Sequence, residues 1–140
     1  METELERSAS IGLTQKVLSL VAVIFGLVTL IAGTRVLIGS DPGYKVFLPL
    51  LLYNTVMGVV YIAAGITMWV NLKRGKYAAA AIFAFNIFVL GVIGYLYTEE
   101  SSIAVESIRA MTFRTIVWFV LFLGSTWVYR RKTRVEGRHA

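Results

Sequence analysis

The chain has no cysteine, one histidine and one aspartate. The first absence excludes disulfides, thiolate nucleophiles and Cys-based metal sites. His139 lies in a terminal basic segment and Asp41 in a Gly- and Pro-containing turn. Neither has a second titratable group beside it in an apolar segment. No phosphate loop, no HExxH pattern and no haem ligand pair is present. We therefore expect no catalytic residue, no metal site and no cofactor. Charge is scarce too, at 16% of residues, where soluble domains carry nearer a quarter.

Apolar residues fill that space, making up 57% of the 140 positions. They gather into four runs, at about 17–38, 47–70, 77–97 and 110–129. Each has about the 20 residues needed to cross a hydrocarbon core about 30 Å thick. The expected fold is all-α: a four-helix transmembrane bundle forming one integral membrane domain over 1–140. Residues 1–15 read as a loose cytoplasmic leader and 130–140 as a basic cytoplasmic tail. Glu2, Glu4 and Glu6 beside Arg7 do not make the simply basic flank of a signal peptide, so the first run is expected to stay as a span. The short connections predict antiparallel, up-down neighbours.

Orientation follows from the basic residues. Ten of the fourteen fall on one side: Arg7 and Lys16 before the first run, Lys73, Arg74 and Lys76 between the second and third, and Arg130, Arg131, Lys132, Arg134 and Arg138 after the fourth. Arg35, Lys45, Arg109 and Arg114 fall on the other. Cytoplasmic loops collect Lys and Arg, which predicts N-in and C-in in a cytoplasmic (inner) membrane. The net charge of +6 is then a topology signal. It also attracts anionic lipids to the basic tail, and nucleic acid is not an expected partner.

Turn signals punctuate the runs. "GSDPGYK" (39–45) suits a turn, and Pro49 suits a first helical turn. "NLKRGK" (71–76) reads as a tight turn with Gly75 stopping a helix. In "TEESSIAVESIR" (98–109), Ser101 or Ser102 is the expected N-cap, and the fourth helix should begin about two turns before its apolar run. Trp69, Tyr77, Trp127 and Tyr129 would form one interfacial belt; Tyr44, Phe47, Tyr53, Tyr95 and Tyr97 would form the other.

Small residues predict how the helices meet. Ser19, Ala22, Gly26, Thr29 and Gly33 repeat at three- and four-residue steps down the first run, and Gly58 and Gly65 mark the second. In lipid such residues let backbones approach closely, so the first two helices should form the tightest pair. Gly91 and Gly94 read as a similar pair of contacts in the third. "GLVTLIAG" (26–33) and "GVVYIAAG" (58–65) echo one another.

Polar side chains within the runs are few. Arg35 lies in the last turn of the first. Asn54 is two turns into the second. Asn86 is near the middle of the third, and both asparagines are expected to donate hydrogen bonds between helices. Arg114 is one turn into the fourth. Proton-coupled exporters of the small four-helix type need a glutamate in the first helix, and no acidic residue lies in any run. Arg114 has two readings. Helical side chains lean toward the N-terminus, so Arg114 can snorkel to the near surface. It also shares a three- and four-residue repeat with Ser107, Met111, Trp118, Leu121 and Ser125, which would aim it into the bundle. In that case Arg114, Arg35, Asn54, Glu106 and Trp118 would line a polar cavity for a small anion or a lipid head group, with the arginine cation over Trp118. The function expected first is that of a non-enzymatic accessory or interaction subunit, with a membrane-protein partner or a second copy. A binder or transporter of an anion or lipid through that cavity is the alternative.

With "SIRAMTFRTIVW" (107–118) and "PLLLYNTVMGVVYIAAGI" (49–66), the chain resembles small prokaryotic four-helix membrane proteins of DoxX-like size and layout. The resemblance implies a fold and a membrane location. It brings no catalytic motif. Motifs of fluoride channels, claudins and membrane-bound glutathione-transferase relatives are missing.

Overall fold

A computed structural model describes residues 3–99 and 103–137. Among them are four helices and no strand: α1 Glu4–Leu37, α2 Leu48–Val70, α3 Leu72–Glu99 and α4 Val105–Gly137. All four are long and apolar enough to cross a membrane. α1 packs on α2 and α4, and α3 packs on α2 and α4. Valines, isoleucines, leucines and phenylalanines remain exposed on every helix. Apolar surface on that scale suits lipid rather than water.

α1, α3 and α4 are longer than their apolar runs, while α2 matches its own. The leader expected to be loose is the start of α1. The Glu6 N–H donates to the Thr3 hydroxyl at 3.2 Å, and the Thr3 N–H donates to the Glu6 carboxylate at 3.0 Å. This capping box satisfies two orphan donors at once. At the other end of the chain α4 runs through the basic tail to Gly137. It begins at Val105, about as far before its apolar run as expected; Ser101 and Ser102, the proposed caps, lie outside the described residues.

Between α2 and α3 only Asn71 is non-helical. Its side-chain oxygen accepts from the Arg74 N–H at 3.1 Å, so it caps α3. Gly75 is therefore not a stop. It is buried inside α3, where a Cβ would overlap the Met68 backbone of α2. A one-residue turn forces the two helices together there, and only glycine fits. At the same end Gln15 of α1 donates to the Met68 carbonyl at 2.8 Å, satisfying a helix end that has no intrahelical partner. The longer α1–α2 connection bends at Gly39 and Gly43, whose φ values of 117° and 85° suit glycine. The Gly43 N–H donates to Asp41.

The small-residue stripe is the buried face of α1: Ser19, Ala22, Gly26, Thr29 and Gly33, with Ile11. A Cβ on Gly26 would lie 2.8 Å from the Gly58 carbonyl oxygen, and one on Gly58 2.8 Å from the Leu30 nitrogen. A Cβ on Gly33 would meet the Thr55 hydroxyl, and one on Gly65 would stand 2.9 Å from the Val23 nitrogen. At Gly26, Gly58 and Gly65 the partner backbone itself leaves no room for a Cβ, and at Gly33 the Thr55 side chain fills the space. Gly91 and Gly94 differ. Nothing lies within 4 Å of a Cβ at either, so they are not packing positions.

Hydroxyls inside the apolar runs mostly bond their own helix. Ser19, Thr55, Thr67 and Thr115 each donate to the carbonyl four residues back. Hydrocarbon offers no competing water, so such groups must be satisfied internally.

These contacts predict an asymmetry among the glycines. Gly58→Ala should destabilise the fold by about 1–3 kcal/mol, the usual cost of overpacking. Gly91→Ala should not destabilise it. Reversible unfolding in mixed micelles, followed by circular dichroism, checks this; equal losses would refute the α1–α2 contact as drawn.

Candidate functional site

Two buried stripes leave α2. Gly58 and Gly65 face α1. Met57, Tyr61, Ala64 and Met68 belong to the central core with Ala79 and Ile82 of α3 and Trp118 and Leu121 of α4. Asn86 of α3 stands in this core, fully buried. Its side-chain oxygen accepts from the Tyr53 hydroxyl at 2.9 Å and from the Tyr61 hydroxyl at 3.2 Å. Asn86 was expected as an interhelical donor; it links α3 to α2 instead as an acceptor for two tyrosines, its Nδ2 having no partner among the described residues. Tyr53 is not part of an interfacial belt. It is half-buried with its hydroxyl turned to Asn86.

The Tyr61 ring lies 4.9 Å from the Trp118 ring, centroid to centroid. Trp118 is fully buried. Cations stand over rings elsewhere, as Lys16 does over Trp69, but the neighbour of Trp118 is the Tyr61 ring and not the Arg114 cation.

The face of α4 that carries Arg114 is its buried face: Ser107, Met111, Thr115, Trp118, Leu121 and Ser125 are all buried. Arg114 itself is half-buried. Tyr61, Tyr44 and Tyr53 lie in its electrostatic neighbourhood. The guanidinium therefore sits on the inner side of α4 rather than on the lipid side, where Phe113 and Ile116 are exposed.

The balance of donors and acceptors is uneven. Asn86 Nδ2, Arg114 Nε and Trp118 Nε1 are buried with no partner among the described residues. All three are donors only. Tyr61 links them: it bonds Asn86, packs its ring against Trp118 and lies near Arg114. Asn54 Oδ1 is a buried acceptor without a partner. It lines a separate cleft of about 40 Å³ with Tyr44, Phe47 and Ser107. Each orphaned polar atom costs about 1–3 kcal/mol unless something bonds it. A guest that accepts hydrogen bonds would recover that cost, and an anionic guest would also meet the arginine charge.

The other two proposed site residues are elsewhere. Arg35 and Glu106 have exposed side chains. Arg114, Trp118 and Asn86 come together, joined by Tyr53 and Tyr61, which sequence reasoning had not placed there. A signal existed: Met57, Tyr61, Ala64 and Met68 follow three- and four-residue steps on the face of α2 away from its glycines.

Comparison of the chain with protein-family models, with curated proteins and with solved structures found no match. The resemblance in size and layout thus stands on the quoted segments alone.

The hub at Asn86 can be tested by energetics. Asn86→Leu strands two tyrosine hydroxyls and should cost about 1–3 kcal/mol. Tyr53→Phe leaves the Asn86 oxygen one donor and should cost less, near the roughly 0.6 kcal/mol average for membrane hydrogen bonds. Adding Tyr53→Phe and Tyr61→Phe to Asn86→Leu should restore part of the loss. Additive losses in micelle unfolding would show that the three side chains are not coupled.

Proposed function

We propose that this chain is a multi-pass protein of a prokaryotic cytoplasmic membrane that holds a small anion, or the oxygen of a carbonyl or phosphate group, against Arg114, Trp118 and Asn86. One observation carries the reading: three buried donors have no partner among the described residues, one of them on the half-buried Arg114 cation, and all three belong to residues that neighbour Tyr61. No carboxylate lies in the four apolar runs to balance that cation. Binding is favoured over catalysis because histidine and carboxylate, the usual groups for proton transfer near neutral pH, are missing from those runs.

Both termini are proposed to be cytoplasmic, on the strength of the ten basic residues at one end. Neighbouring helices are proposed to run antiparallel. In support, Gly33 meets Thr55, Gly26 meets Gly58 and Ser19 meets Gly65, so positions rise along α2 as they fall along α1.

The test combines stability and mass. Chloride, acetate or phosphate, added to protein purified in gluconate, should raise the melting temperature of the native chain. Stabilisation grows as RT ln(1 + [L]/Kd), about 2.7 kcal/mol at a hundred times Kd. Arg114→Gln should keep the helical spectrum and weaken the binding of the effective anion about ten- to a hundredfold, since a charged hydrogen bond contributes about 1.5–3 kcal/mol. An anion response unchanged by Arg114→Gln would sink the reading.

A second reading, a non-enzymatic accessory subunit that pairs with another membrane protein or a second copy, is favoured by a different feature. An apolar groove of about 480 Å³ opens between α2 and α3, walled by Ala63, Ala64, Ala78 and Ala81 beside Tyr53 and Phe85. Alanine walls let another helix approach closely. Because the chain lacks cysteine, Ala81→Cys gives a single reactive site. Oxidative cross-linking in native membranes should yield a discrete adduct on this reading, and an uncross-linked chain would count against it.

A further inference from the structure

A second cluster lies at the end that carries the basic residues. Arg7 of α1 and Arg131 and Arg134 of α4 line a cavity of about 150 Å³ with Ile11 and Val135. No carboxylate is among those lining residues. Ile11 is buried, and Arg7 and Val135 are half-buried. The pocket thus pairs an apolar floor with guanidinium groups drawn from two helices.

Aromatic side chains fix its depth. The Arg131 guanidinium lies 4.7 Å from the Trp127 ring, which is half exposed. Lys16 lies over Trp69 at 5.7 Å and Lys76 over Tyr129 at 4.4 Å. Tryptophan and tyrosine with cations above them mark the head-group level of a bilayer. Arg134 is three residues farther out, about 4.5 Å along the helix. The cavity therefore sits where lipid phosphates sit.

Its chemistry suits them. The guanidinium fork matches phosphate oxygens in bidentate fashion, and basic pockets between helices on the cytoplasmic side take anionic head groups. A second cavity of about 200 Å³ shares Ile11 and Val135 and adds Gly12 and Gln15. Lys132 and Glu136 also line it and offset each other in charge. That neutral, partly apolar space can take a glycerol backbone, which favours a lipid over the free ion. We infer that Arg7, Arg131 and Arg134 form a site for the phosphate group of an anionic lipid, separate from the donor cluster around Arg114.

Native mass spectrometry of the full chain in detergent tests this, with phosphatidylglycerol, phosphatidylcholine and inorganic phosphate titrated separately. Phosphatidylglycerol should bind the native chain more tightly than phosphatidylcholine. The double variant Arg131→Gln, Arg134→Gln should weaken it at least tenfold. Lys73→Gln with Arg74→Gln removes the same charge outside the pocket and should change it less than threefold. Arg114→Gln should leave it unchanged, which separates this site from the interior one. Inorganic phosphate bound as tightly as the lipid, and lost in the same double variant, would support the three-arginine site with the free ion as its ligand. Equal losses in the two double variants, or no loss in either, would overturn the site.

Discussion

Helices in hydrocarbon gain nothing from burying leucine against leucine, because lipid tails are as apolar as the side chains they would replace. What holds this chain together must therefore be close backbone contact and internal polar bonding. The first is concentrated at the crossing of α1 and α2. Gly26, Gly58 and Gly65 bring the two backbones into close approach, and Gly33 makes room for Thr55. Everything else hangs on that pairing. With its glycines given to α1, α2 must present its large buried side chains to the other two helices, and these are Met57, Tyr61 and Met68.

Internal polar bonding then has one centre. Tyr53 and Tyr61 reach from α2 to Asn86 on α3, and Trp118 of α4 covers the Tyr61 ring. A single amide ties three helices together. Its oxygen has two donors, while its nitrogen has no protein partner. Arg114 and Trp118 add two more donors in the same state. Serine and threonine hydroxyls, by contrast, are mostly returned to their own helix. Thr126 is the exception among the buried hydroxyls, and the unpartnered donors of Asn86, Arg114 and Trp118 all lie on residues that neighbour Tyr61.

How much of this was legible can be argued residue by residue. The α1 stripe was legible because glycine and serine at three- and four-residue steps have few other uses in an apolar run. The inward aim of Arg114 was legible from Ser107, Met111 and Trp118, which share its face. Other features were not, and for physical reasons. Hydropathy alone ended α1 at Val17, since the capping box of Thr3 and Glu6 acts through two hydrogen bonds and leaves no trace in apolarity. Gly75 looked like a stop because glycine has two meanings, a turn or a close approach, and the one-residue connection at Asn71 selects the second. Gly91 and Gly94 show the converse, since glycine spacing without a facing helix has nothing to pack. Tyr53 looked interfacial because tyrosine suits a membrane surface and a buried hydrogen bond equally well. Only its position opposite Asn86 decides between them.

The two cationic clusters illustrate how depth changes what a charge is worth. Arg7, Arg131 and Arg134 act near water, where a unit charge attracts an ion 4 Å away by about 1 kcal/mol and salt screens it over about 10 Å. Three of them are needed for a useful site, and an apolar floor must share the work. Arg114 is one charge in a drier place, where an effective dielectric of about 20 raises the same attraction to about 4 kcal/mol. As the proposed site it would need no second cation, and the donors of Asn86 and Trp118 would supply direction rather than charge. The reverse also holds. An unbalanced cation on the inner side of α4 would weaken the bundle as strongly as it attracts an anion, so a guest at this cluster would contribute to the fold as well as to binding. On the proposed reading, that coupling would tie the stability of this protein to the ions or lipid oxygens around it more tightly than its surface arginines could.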